Sequence, residues 1–380
     1  MSSDPTVLKT INIIDPGLNS TRGHHYDWNK KLADYYSGLG YSVVIYCNKQ
    51  ATIELLNSFD TIFPIFQGYP YRPVNSTSGD GKERPRSARM AQELYWFLRM
   101  QQMFQEEIKQ VAAADYQLFT TLFDYQLIAL ANVPITGNIR AAIHFPPDQR
   151  GSLLGPALWA SGFKMVADAQ LSIRFLATTA EVAELYRSRY KQDLRLLPHI
   201  YNAQPIPSKV PSGHVTVGFL GEQRQAKGVA LIPSLVDWLV AQGCHVICQD
   251  SSERLALAND MKGVEVLGYV DNLASLIARC DLVVTPYKPD WYRYNMAGIV
   301  VEALGCGVPV IAPAGSSPGN LVASLGAGVT FKAFSVESVI EALRTGLDNI
   351  DGLTQKARDA QLLFSRDHGV SNFASAFLVG

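Results

Sequence analysis

The residues best suited to chemistry lie in two stretches of the second half of the chain. Val217-Gly-Phe-Leu-Gly-Glu-Gln-Arg-Gln-Ala-Lys-Gly228 reads as a strand ending at Gly221, a loop presenting Arg224 and Lys227, and a helix after Gly228. Two cations beyond a strand end, beside the orphan amides of a helix start, suit a diphosphate; a solvated basic turn is the competing reading. In Leu282–Ala312 a strand and loop lead into a helix over Gly298–Leu304, then a Gly-Cys-Gly turn and another strand. Backbone at Met296, Ala297, Gly298 and Ile299 would offer amide donors to phosphate oxygens at that helix start. Glu302, one turn further in, is placed to accept hydrogen bonds from sugar hydroxyls; a lone Glu on an apolar helix can equally be a buried residue satisfied by backbone.

The first half offers weaker candidates. Asp15-Pro-Gly-Leu-Asn-Ser-Thr-Arg-Gly-His-His-Tyr26 joins a strand to a helix and carries Gly23, His24 and His25. Adjacent histidines are expected to point apart, which makes them a poor metal pair; capping or acceptor contact suits one of them better. Asn138–Pro147 reads as a strand delivering His144 to its carboxyl end, and Asp124 also follows a strand, within reach of an acceptor. There is neither an Asp-x-Asp motif nor another ligand cluster for a divalent metal, so the expected metal set is empty.

The elements that position these residues alternate along the chain. Val7–Ile14, Ser42–Tyr46, Thr61–Phe66, Gln117–Thr121, Ile139–Phe145 and Leu171–Ala177 are nearly continuous apolar runs, as expected of parallel strands covered on both faces. Helical patterns at Tyr26–Leu39, Ser87–Ala113 and Glu181–Tyr190 separate them. Strands at Val215–Leu220, His245–Gln249, Val264–Leu267, Leu282–Pro286 and Val308–Ala312 repeat the plan, with helices at Ile232–Ala241, Leu273–Cys280, Gly298–Leu304 and Val336–Leu347. This alternation predicts a doubly wound α/β protein. Pro205, Pro207 and Pro211 mark Asn202–Gly213 as an extended linker. The expected division is a domain over 1–201, a linker over 202–213, a second domain over 214–365, and a carboxyl-terminal helix over 366–380 that packs back toward the first domain. A cleft between the carboxyl ends of two parallel sheets is the expected site.

Here the sequence resembles a known family. Gly-x-x-Arg-x-x-Lys-Gly, then Leu267-Gly-Tyr-Val270, then Glu302-Ala-Leu-Gly-Cys-Gly-Val-Pro-Val310 look like the donor half of glycosyltransferase family 4, retaining enzymes of the GT-B fold. The likeness runs over roughly 215–347 and is weaker but collinear before it. It implies two Rossmann-like domains, an acceptor domain followed by a nucleotide-sugar domain, and a metal-independent, retaining hexosyltransferase of polysaccharide or glycoconjugate biosynthesis. It implies that Arg224 and Lys227, at the loop opened by Gly221, bind the donor diphosphate. Glu302 would hold the ribose, Gly268 and Tyr269 would line the base pocket, and backbone at 297–299 would contact phosphate or sugar. Gly23 matches a glycine of the family's first loop, and His144 a histidine turned to the donor sugar. Two departures stand out: Tyr294 replaces an acid that touches the donor sugar, and Glu222 replaces an arginine, leaving that role to Arg224. A binding subunit without turnover and a sugar-nucleotide epimerase are the alternatives.

Composition narrows the partners. The 380 residues carry a net charge of -1, so no basic field draws nucleic acid or an anionic membrane. Only 18% of residues are charged, which excludes a disordered chain. Five scattered cysteines read as buried thiols of a reducing compartment, and with neither a signal peptide nor a membrane span the expected location is cytoplasmic. The expected partners are a nucleoside-diphosphate sugar, as substrate with no further cofactor, and an unidentified hydroxyl acceptor. Met90–Glu107 carries Leu94, Phe97, Leu98 and Phe104 beside Arg89 and Arg99. Some family members dock on membranes through such a helix; packing on the core is the preferred reading, and peripheral membrane contact the alternative.

Overall fold

The computed structural model describes residues 8–72, 85–200, 213–255, 257 and 261–379. The prolines of the expected linker and most of the irregular segment after Gly68 lie outside them. Two units emerge, residues 1–197 with 373–380, and residues 198–372.

The first unit holds β1 (Thr10–Ile14), β2 (Ser42–Asn48), β3 (Ile62–Phe66), β4 (Tyr116–Phe119), β5 (Asn138–Ile143), β6 (Ile173–Ala177) and the two-residue β7 (Arg195–Leu196). They form one sheet in the order β3-β2-β1-β4-β5-β6-β7, and every pairing is parallel. Ile11, Ile13, Ile14, Leu118, Phe119, Ala141 and Ala142 are fully buried, which is why these strands read as apolar runs rather than as alternation. The second unit holds β8 (Thr216–Phe219), β9 (His245–Gln249), β10 (Val264–Leu267), β11 (Leu282–Val284), β12 (Val310–Pro313) and β13 (Gly328–Phe331), ordered β10-β9-β8-β11-β12-β13, again parallel throughout.

Both sheets reverse direction of growth once, between β1 and β4 in the first and between β8 and β11 in the second. At such a switch point the loops after the two strands leave to opposite faces, and ligands of open α/β sheets bind there. Asp15 and Thr120 follow β1 and β4; Gly221 and Thr285 follow β8 and β11.

Short polar residues start the helices. Thr179 Oγ1 accepts from Val182 N at 3.2 Å, and Ser316 Oγ from Gly319 N at 3.1 Å. The last helix, Val370–Leu378, ends in the first unit with Phe373 and Phe377 fully buried. There Tyr36 donates its hydroxyl to Ala374 O at 2.7 Å, and Arg140 Nε donates to Phe377 O at 3.0 Å.

Candidate functional site

In the second unit the loop after β8 is tied down before it presents its cations. Gly221 takes φ +85°, and its amide donates to Gln249 Oε1 at 2.7 Å. Gln223, fully inside, donates from Nε2 to Gly221 O and Gln249 O, both at 3.0 Å. These bonds fasten the loop to the ends of β8 and β9, a role that sequence reasoning missed because glutamine carries no motif. A short 3₁₀ turn, Gln225–Lys227, follows and closes on Gly228 in the left-handed region at φ +75°. A Cβ at Gly228 would lie 1.9 Å from Pro286 O, and Lys288 N donates to Ala226 O at 3.0 Å. The loops after β8 and β11 are thus locked together by close backbone approach.

The helix Ile232–Ala241 starts where its sequence pattern places it, beyond the turn at Gly228. The left-handed Gly228 turns the chain first, and Pro233 sets the start of the helix. The donors beside the cations are therefore those of the turn. Gly228→Ala is expected to cost more than about 1 kcal/mol of unfolding free energy, since alanine meets both positive φ and the Pro286 carbonyl. Urea denaturation checks this, and an unchanged midpoint would contradict it.

Lys227 is mostly buried, with its ammonium 5.6 Å from the centre of the Tyr287 ring. Burial first, and Arg224 second, lower its pKa to about 8. Arg224 is more exposed and pairs with Glu222 through Nε at 3.0 Å. Glu222 thus occupies the guanidinium that a diphosphate would take. Tyr287 and Tyr292 pack with ring centres 4.5 Å apart, and the Tyr287 hydroxyl is buried without a partner among the described residues.

The helix Gly298–Gly305 starts with no side-chain cap at Ala297. Ala297 and Ile299 bury their side chains while Gly298 is exposed, which leaves backbone as what this start offers. Met296 packs on Val301 and Phe364, so its part is structural as well. Glu302 is half-buried one turn in. Tyr294 is half-buried with the Arg293 guanidinium 5.4 Å from its ring. Gly268 and Tyr269, just after β10, are exposed, Tyr269 by 71%.

In the first unit the loop after β1 builds a polar knot. Asp15 is buried at its base: Oδ1 accepts from Gly17 N at 2.9 Å, and Oδ2 from Asn29 Nδ2 at 2.6 Å and Thr120 Oγ1 at 3.2 Å. His25 Nδ1 meets the same Oδ2 at 2.7 Å, and its Nε2 meets the Tyr71 hydroxyl at 2.7 Å. Burial alone would raise the Asp15 pKa, but the charge and hydrogen bond of His25, with Asn29 and Gly17, hold it at about 2. The His25 pKa rises, burial being outweighed by Asp15. His24 Nε2 also reaches Tyr71 Oη, at 3.3 Å. The two histidines therefore converge on one hydroxyl instead of pointing apart, with rings 4.2 Å between centres, because Tyr71 enters between their tips. Gly23, at φ +81°, turns the chain into this helix, His24–Gly38.

His144 follows β5 directly and is buried. Its Nε2 lies 2.7 Å from Thr120 O, an acceptor only, so Nε2 carries the proton and Nδ1 the lone pair. Burial first pushes its pKa down to about 3, so this imidazole is neutral. Trp28 packs on it with ring centres 5.0 Å apart.

Asp124 is not a free carboxylate: Oδ2 accepts from Arg72 at 3.0 Å, and Arg72 also bonds Glu93 at 2.5 Å and Ser152. Burial raises the Asp124 pKa, against the lowering pull of Arg72. In the helix Arg86–Glu107, Phe97 and Phe104 are buried, while Leu94 and Leu98 are 44% and 52% exposed. That helix serves the core with one face only. No helix among the described residues is long and apolar enough to cross a membrane, and none of their His, Cys, Asp and Glu groups form a metal-holding cluster. All five cysteines are buried, and none is in a disulfide.

Residues 214–349 match the family described as glycosyl transferases group 1. A search of curated proteins finds no match. Among solved structures, a glycosyltransferase from Rickettsia africae is similar at 13% identity and a TM-score of 0.68, over 98% of this chain and 97% of that one. Sucrose-phosphate synthase from Thermosynechococcus elongatus is similar at 13% identity and 0.64, over 97% and 96%. HepE of Anabaena, solved with UDP-glucose, is similar at 14% and 0.63, over 97% and 98%. At such identities the likeness establishes the fold, which is GT-B.

Proposed function

Because residues 214–349 form a glycosyl transferases group 1 domain within a chain of GT-B fold, we propose that the protein transfers a sugar from a nucleoside diphosphate to an acceptor hydroxyl. The observation that carries this reading is Lys227, an ammonium held largely out of water beside Arg224 at the switch point of the second sheet. A buried cation is costly unless an anion completes it. A diphosphate is that anion, and structural relatives are solved with UDP-glucose and with thymidine diphosphate.

In the proposed reaction the acceptor oxygen bonds to the anomeric carbon as the bond from that carbon to the diphosphate oxygen breaks. The electron pair stays with the diphosphate, where Lys227, Arg224 and the turn amides stabilise it. In the retaining, same-face course the acceptor proton passes to the departing phosphate, and no protein base is needed. Glu302 would hold the ribose, Gly268 and Tyr269 the base, backbone at 297–299 and Tyr294 the sugar, and His144 would present its neutral ring to it. Two cations already meet the leaving charge, so the reading includes metal independence. Activity is expected to persist in EDTA; loss in EDTA with recovery in Mg²⁺ or Mn²⁺ would contradict it. Five buried thiols suit a cytoplasmic setting.

One observation favours a second reading of the stereochemistry. Asp15 and His25 form a hydrogen-bonded carboxylate–imidazole pair of the kind that serves as a general base. If His25 took the acceptor proton, attack from the far side would invert the anomeric centre. Proton NMR of the first-formed product decides: the donor's anomeric configuration supports retention, and the opposite one supports His25 as base.

A further inference from the structure

The loops after β8 and β11 present one residue to each other. Pro286 O closes on Gly228, where a Cβ would lie 1.9 Å away, and Lys288 N donates to Ala226 O at 3.0 Å. These two contacts bracket a third: between them the Lys227 ammonium stands over the Tyr287 ring, 5.6 Å from its centre. We propose that Tyr287 is a positioning residue of the diphosphate site, its ring face holding the Lys227 ammonium charged and in place before the donor arrives. The proposal rests on the transferase reading for the diphosphate, though the hold on the ammonium is measurable without it.

The geometry leaves the ring face as the support of this ammonium. Among the described residues no hydrogen bond or ion pair reaches Lys227 Nζ, and the Tyr287 face is what it meets. Gly221 makes room for it, since a Cβ there would lie 3.3 Å from Nζ. The ring itself is fixed. Tyr287 is 2% exposed, belongs to the core with Leu220, Val283 and Val300, and has Tyr292 packed on it with ring centres 4.5 Å apart. An aromatic face attracts a cation through its quadrupole, more strongly where water is excluded. The hydroxyl plays no part in that hold, being buried without a partner among the described residues.

The ring matters for binding through the charge of Lys227. Burial and Arg224 push the Lys227 pKa down to about 8, against the raising pull of Glu222. Among the described residues these two are the charged groups that act on it, and both sit on its own loop. From the loop after β11, Tyr287 with Tyr292 behind it is a neutral phenol, both pKa values raised by burial. Lys288, on the same loop, turns its ammonium to the Phe334 ring at 5.5 Å. Asp250, at the end of β9, is taken up by the amides of Arg254 and Leu255. The Tyr287 face is therefore the support that the second loop gives to the ammonium form. Without it Lys227 loses its proton at lower pH, and the diphosphate loses a cation with it.

The test uses the full chain as wild type, Tyr287→Phe, Tyr287→Leu, and with trifluorophenylalanine at position 287, a ring of nearly the same shape that lacks the attractive face. Carbon NMR of labelled lysine Cε atoms reads the Lys227 pKa without ligand, its signal assigned by its absence in Lys227→Met. Tyr287→Phe should keep the wild-type value, while the fluorinated ring and Tyr287→Leu should each lower it by about half a pH unit or more. Isothermal titration with UDP, GDP, ADP and thymidine diphosphate then follows affinity, which should fall as pH rises through the Lys227 pKa. Between pH 6.5 and pH 9 the fluorinated variant should lose about three-fold more affinity than Tyr287→Phe, the factor that half a pH unit implies. A packing defect would weaken binding equally at every pH. The same Lys227 pKa in all four proteins, or losses of affinity that do not change with pH, would overturn the assignment. A lowered pKa with no diphosphate bound at any pH would sink the transferase reading and leave the hold standing. Diphosphate binding with an unmoved pKa would do the reverse.

Discussion

Lys227→Met should lower kcat/KM at least about 100-fold and, in the ligand-free protein at pH 7, raise thermal stability. The loss follows from removing a charge-assisted contact that strengthens as the diphosphate departs, worth about 3 kcal/mol in the transition state. The stability gain follows from the same burial. The Lys227 pKa is lowered from 10.5 to about 8, so between these values the unfolded chain binds more protons than the folded one. Stability therefore falls as pH drops through that window, and below about 8 the full cost of burying the charge is present. That cost is about 1–3 kcal/mol with allowance for partial exposure. Methionine fills the same space without it. Nucleotide should then stabilise the wild type more than the variant. Steady-state kinetics with thermal melts, with and without nucleoside diphosphate, check both halves; a variant with wild-type kcat/KM would remove Lys227 from the diphosphate site.

Asp15→Ala should cost about 3–5 kcal/mol, the range for removing one partner of a buried ion pair. The substitution strands Gly17 N, Asn29, Thr120 and His25, which all converge on that carboxylate. The pH dependence follows from two opposite shifts. The folded pKa of Asp15 is depressed to about 2, so its contribution is full above the ordinary value near 4 and is lost as pH falls toward 2. The His25 pKa is raised, so its contribution is full below the ordinary value of about 6.5 and shrinks as pH climbs through the folded one. The stability gap between wild type and the milder Asp15→Asn should therefore be widest from about pH 4 to 6.5 and narrow on either side. Urea melts across pH 3–9 measure it, and a gap that does not vary with pH would contradict the pairing.

Strands were legible because burial on both faces leaves an apolar run with no competing period. β7 escaped because two exposed residues make no pattern, and β13 because its four residues open on glycine and bury only Phe331 fully. The helix Asp124–Leu130 escaped because all seven of its residues are buried, and a short apolar run has no face to show. The helix Ser317–Leu325 was hidden by Ser-Ser-Pro-Gly at its start, which reads as a turn. In the loop after β8 the cations and Gly228 were legible because one segment supplies them all. Its anchors, Gln223 and Gln249, and the buried Tyr287 were not, because only the fold brings three loops together. The first unit shows the same limit. Asp15 and His25 lie ten residues apart, but Tyr71 comes from 46 residues beyond His25, and Arg72 joins Ser152 across 80. Such pairs leave no local spacing to read.

The proposed transfer requires the loop from Gly221 to Gly228 to bind the diphosphate of a sugar donor. Isothermal titration of the full chain with UDP, GDP, ADP and thymidine diphosphate, each beside its nucleoside, tests it most directly. At least one diphosphate should bind, its nucleoside should bind at least ten-fold more weakly, and Arg224→Ala with Lys227→Met should abolish the difference. Equal affinity for diphosphate and nucleoside, or a difference that survives the double substitution, would contradict it.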